Sequence, residues 1–106
     1  MSVTVPDTDD RPRLASLSAF QRDILWVLAH GGPLKGLAVQ EALADYYDER
    51  VNHGRLYQNL DALAEAGYIE KSARDDRTNE YALTADAKQA MQRRRTWVEA
   101  DEVVTV

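Results

Sequence analysis

The chain has 106 residues, 44% of them hydrophobic, which fits one small domain. Its formal net charge is −5. It has no cysteine, which excludes a disulfide framework, a thiolate zinc site and direct thiol redox sensing.

Residues 1–14 are polar, carry Asp7, Asp9 and Asp10 and contain two prolines, so they read as a flexible amino-terminal tail and not as a secretory signal. No run approaches the about 20 apolar residues needed to span a bilayer. The expected location is the cytoplasm, with no membrane partner. Ser18 and Gln21 are spaced as a capping box. Phe20, Ile24, Val27 and Leu28 follow at helical spacing up to His30 and Gly31, and His30 suits the negative end of a helix dipole. A second helix is expected over 35–48, with Leu37, Val39, Leu43 and Tyr46 available for burial. Glu49 to Val51 reads as an extended link that could add a minor strand beside the hairpin described next.

The run from Val51 to Thr84 is the most informative stretch. Leu56, Leu60 and Leu63 sit at i, i+4 and i+7, one apolar stripe of a helix. Asn52 is placed to cap its start, and Gly67 stands where it should stop with positive φ open to it. With the leucines inward, Gly54, Arg55, Gln58, Asp61, Ala62 and Glu65 fall on the opposite face. Arg55 and Gln58 are the residue types that pair with guanine and adenine edges in a major groove. His53 either meets DNA or packs beside Tyr57. Tyr68 to Ala73 alternates like a strand with Ile69 inward, Arg74 to Thr78 is a charged turn, and Asn79 to Leu83 alternates again with Tyr81 and Leu83 on one face. A hairpin directly after such a helix is a wing, and Lys71, Arg74 and Arg77 could reach backbone phosphates. Asp75 and Asp76 in its tip keep open the reading of a plain surface hairpin.

Thr84 can cap a last helix over 85–102, with Ala87, Ala90, Met91, Trp97 and Val98 along one broad side, before a tail at 103–106. Arg93, Arg94 and Arg95 span about 200° of helical arc, so they cannot all face one partner. They read as a solvated stretch, or as phosphate contacts or ion pairs with Glu99 or Asp101 of a second subunit. No phosphate-cradling glycine loop and no nucleophile elbow is present, and His30 and His53 are too few and too far apart for a metal site, so no enzyme is expected.

The run GRLYQNLDALAEAGYI, the wing and YALT after it, with the upstream FQRDILWVLAHGGPLKGLAVQEAL, resemble the PadR-like winged-helix transcriptional regulators. Gly31, Gly32, Pro33 and Gly36 match the family's turn and the small residue that opens its second helix, and the resemblance covers about residues 17–98. It implies a mainly α fold with a small β-wing: a winged helix-turn-helix of three helices and a two-stranded wing over 15–84, then a long carboxyl-terminal dimerisation helix. It also implies a homodimeric regulator on double-stranded DNA with a pseudo-palindromic operator, and places Tyr57 near the phosphate backbone. The expected DNA-facing set is therefore Asn52, His53, Gly54, Arg55, Tyr57, Gln58, Lys71, Arg74 and Arg77. The expected dimer interface is Trp26, Met91, Arg94, Trp97 and Val98. Some family members bind flat aromatic ligands between subunits, but Trp26 and Trp97 are read first as packing residues. The rival reading is a winged-helix protein-interaction module of the transcription machinery without specific DNA binding.

The charge needs an account, because DNA binders are usually basic. Ten of the 13 basic residues are Arg, and Asp outnumbers Glu by eleven to seven. A lysine-poor, aspartate-rich composition looks like adaptation to a salt-rich cytoplasm, as in haloarchaea. At 1 M salt the Debye length is about 3 Å, so repulsion from DNA is largely screened. No cofactor is expected beyond cations bridging carboxylates to phosphates.

Overall fold

In a computed structural model, residues 12–99 are described; the tail residues 1–11, Asp101 and the rest of 100–106 lie outside them. Four helices and three short strands follow in the order α1 (Ala19–Gly31), β1 (Leu34–Lys35), α2 (Gly36–Tyr47), α3 (His53–Glu65), β2 (Ile69–Ala73), β3 (Asn79–Leu83) and α4 (Ala85–Glu99). A 3-10 turn at Leu14–Ser16 precedes α1.

Local chemistry explains most boundaries. The Ser18 hydroxyl accepts from the Gln21 N–H at 3.1 Å, and the Gln21 carboxamide accepts from the Ser18 N–H at 3.0 Å, closing the capping box of α1. Asn52 caps α3 by accepting from the Arg55 N–H at 2.8 Å. Gly67 adopts φ +87° after α3. There the Tyr68 N–H donates to the Leu63 carbonyl and the Gly67 N–H to the Ala64 carbonyl, the two reciprocal bonds of a Schellman stop. The Thr84 hydroxyl accepts from the Ala87 N–H to start α4 and donates to the Gly67 carbonyl, which ties α4 to the end of α3.

The core is built from Phe20, Ile24, Leu25 and Leu28 of α1, Val39 and Leu43 of α2, the three leucines of α3, Ile69 and Tyr81 of the hairpin, and Ala87, Ala90 and Met91 of α4. β2 and β3 pair antiparallel with Ile69 opposite Leu83 and Ala73 opposite Asn79.

Four expectations are corrected. The hairpin gains a third strand, β1, paired to the outer edge of β3 through Leu34 opposite Tyr81. That minor strand comes from the turn before α2 and not from 49–51, where Val51 is instead buried in the core. The tail does not extend to Leu14: Leu14 is buried, and the Arg13 backbone exchanges two hydrogen bonds with the Tyr68 hydroxyl. Leu37 and Tyr46 are exposed, since Val39 and Leu43 already fill the inward stripe of α2. Among the described residues, no helix is long and apolar enough to cross a membrane.

Gly67→Ala is expected to destabilise the domain by about 1 kcal/mol, because an L side chain is strained at this φ. Urea unfolding of the two proteins measures it.

Candidate nucleic-acid interface

Burying Leu56, Leu60 and Leu63 fixes the rotation of α3. Asn52, His53, Gly54, Arg55 and Gln58 are then all exposed at its amino-terminal end. The Cβ that any other residue would place at Gly54 would come within 3.3 Å of the Asn52 cap oxygen, so glycine leaves the cap room. The His53 ring lies 4.4 Å from that of Tyr57, so His53 packs beside the tyrosine. Asn59, also on α3, donates to the Arg55 carbonyl at 2.8 Å and accepts from the Gln21 side chain at 3.0 Å, which anchors the start of α3 to that of α1.

Tyr57 is half-buried and turned towards α2. A Cβ on Gly36 would stand 2.1 Å from its hydroxyl and 2.6 Å from its Cζ, so only glycine lets α2 begin this close to the tyrosine ring. Tyr57 thereby lines a cleft of about 290 Å³ between the start of α2 and the wing, with Lys35, Leu37, Arg77, Thr78 and Asn79 among its other walls. Lys35 is not singled out by the sequence reading; it lines this cleft with Arg77 because β1 pairs with β3.

The wing residues behave differently from one another. Lys71 reaches back to Asp61 of α3 at 3.7 Å, an exposed pair that links wing to helix. Arg74 and Arg77 are exposed at the tip. Asp75 does not simply oppose them: its carboxylate accepts from the backbone N–H of Arg77 at 2.9 Å and of Thr78 at 2.8 Å, forming the turn. The Arg77 N–H, and with it that of Thr78, holds the Asp75 carboxyl below its usual range.

Trp97 and Val98 of α4 are 72% and 59% exposed. The Arg94 guanidinium lies 5.7 Å from the Trp97 ring centre, and Arg95 pairs with Glu99 one turn on, within the same helix, at 3.2 Å. Trp26 is half-buried against the core. Met91 is 4% exposed inside the core of the chain, so it has little surface to offer a partner. Its helix is inward at Ala87, Ala90 and Met91 and outward at Trp97 and Val98, which corrects the single broad apolar side read from the sequence.

Residues 24–93 match the transcriptional regulator PadR-like family. The chain belongs to that family. The PadR-like family is one of transcriptional regulators and not of enzymes. Among solved structures, the chain is similar to the complex structure of hsRosR-S4, with 45% identity over 92% of this chain and 84% of that one and a TM-score of 0.82. It is likewise similar to Halobacterium salinarum RosR grown from NaBr, with 46% identity over 86% and 82% of the two chains and a TM-score of 0.78. These haloarchaeal matches make it a PadR-like winged-helix regulator of haloarchaeal type. A mutant MarR from E. coli complexed with operator DNA shares the fold, with 20% identity over 82% of this chain and 59% of that one and a TM-score of 0.69. Curated protein sequences give no match.

The Asp75 turn is expected to be pH-dependent. A carboxyl whose folded pKa is depressed stabilises the fold above its unfolded pKa, and that contribution is lost as pH falls through the folded pKa. Amide protection at Arg77 and Thr78 should therefore be constant near neutrality and fall only below the ordinary carboxylate range. In Asp75→Ala it should be low at every pH. Hydrogen exchange by NMR checks both.

Proposed function

We propose that this DNA-binding transcriptional regulator acts as a homodimer on a pseudo-palindromic operator, in the cytoplasm of a salt-loving cell. The observation that carries the reading is the outward amino-terminal end of α3, where Arg55 and Gln58 are exposed beside the wing while the three leucines of the same helix are buried. Each subunit lays α3 in a major groove amino-end first, with Arg55 and Gln58 on base edges and Asn52, His53 and Gly54 close to the groove floor or wall. Tyr57, Lys35 and Arg77 line one cleft on the backbone side, and Arg74 and Lys71 extend the contact along the wing. Asp61 and Glu65 lie at the far end of α3, where the helix leaves the groove. Exposed Trp97 and Val98, with Arg94 and Trp26, form the dimer contact, which sets the two α3 helices about 34 Å apart, one turn of DNA.

The surplus of acidic residues fits work in concentrated salt. Counterion release drives binding less there, and cations bridge carboxylates to phosphates. Two outcomes are expected. Arg55→Ala loses about 1–3 kcal/mol, and the loss falls on the cognate operator; an equal loss on random DNA would reduce Arg55 to a phosphate contact. Operator affinity in wild type stays nearly level as KCl rises towards molar concentration, measured by fluorescence anisotropy. A steep decline would overturn the salt reading.

A further inference from the structure

The Arg55 side chain is exposed but not loose. Its guanidinium carbon sits 3.8 Å from the centre of the Phe20 ring, over its face. Phe20 is buried on the first turn of α1, and the Tyr47 ring from the end of α2 is stacked at 6.3 Å with an interplanar angle of 19°. Tyr47 in turn donates to the Asp23 carboxylate on α1, and burial, then that bond, push the Tyr47 hydroxyl up to about 12, so it keeps its proton. The backbone of Arg55 is held as well, its N–H by Asn52 and its carbonyl by Asn59. Among the described residues, the guanidinium makes no hydrogen bond and no ion pair, and the nearby carboxylate of Asp23 is engaged by Tyr47.

We infer that Phe20 is a specificity-positioning residue: its ring holds the Arg55 guanidinium in the pose that reads a base, without touching DNA itself. This rests on the reading of Arg55 as a base contact. A guanidinium laid on an aromatic face is restrained while its N–H edges stay available for bidentate pairing. A free arginine loses much rotamer entropy on binding, and one already ordered loses less. The choice of an aromatic partner also suits concentrated salt. An exposed ion pair weakens there, whereas a contact against a buried ring is short-ranged and presents no competing anion.

The test compares Phe20→Leu, and a ring-fluorinated phenylalanine at position 20, with wild type on cognate and random duplexes. Fluorination drains the ring face of electron density with little change of shape, so it separates positioning from folding. Both changes are expected to reduce the preference for cognate DNA about two- to fivefold while affinity for random DNA stays the same. In an Arg55→Ala background neither should alter the preference further. The Arg55 side-chain proton resonances, shifted by the ring current in wild type, should move to ordinary values in Phe20→Leu. An unchanged preference in the folded fluorinated protein, or equal losses with and without Arg55, would overturn the proposal. If Arg55→Ala alone leaves the preference intact, the base-reading assignment fails instead, and Phe20 has nothing to position.

Discussion

The leucine stripe of α3 is the constraint on which the rest depends. Leu56 and Leu60 are fully buried and Leu63 nearly so, packed into the core shared with α1, α2 and the hairpin. Burying each such side chain contributes about 1.5–3 kcal/mol, a large share of the stability of a domain this small. Any rotation of α3 that offered a different face to solvent would expose that stripe. The polar face at the start of the helix is therefore presented by the burial of the apolar one.

Glycines and tyrosines then set how closely the elements approach. Gly36 gives Tyr57 room against the start of α2, and β1 emerges from the same turn to join β3 opposite Tyr81. Tyr81 is almost wholly buried, and burial raises its hydroxyl pKa. One small region thus joins the start of α2, α3 and the wing. Lys35, Tyr57 and Arg77, one from each, line a single cleft there.

The charged residues act mainly at short range. Asp75 builds the wing turn, Asp23 holds Tyr47, Asp61 meets Lys71, and Glu99 meets Arg95. Exposed pairs of this kind contribute little each, typically about 0–1 kcal/mol. Their use is placement. The acidic total charge therefore coexists with an exposed amino-terminal end of α3 that shows Arg, Gln, Asn and His.

Features set by neighbours in the chain were legible in the sequence. The capping box at Ser18, the Asn52 cap, the Gly67 stop, the leucine stripe and the hairpin all rest on spacings of a few residues, and each is found where that spacing puts it. Features that need two distant segments were not legible. A two-residue strand at Leu34–Lys35 has no periodicity of its own and exists because β3 offers it an edge. Leu14 is buried because Tyr68, far along the chain, anchors the backbone beside it. Leu37 and Tyr46 looked as apolar as Val39 and Leu43, and only packing decided which pair faced inward. Arg55 could be read as a candidate base contact from its place on the helix, but its seat on Phe20 came from α1 crossing the start of α3. The sequence by itself determined the helices, most of their ends and the polar residues along them, because hydrogen bonding and side-chain period are local. The tertiary structure decided which of those residues are held, paired or buried, because burial depends on what distant segments bring alongside.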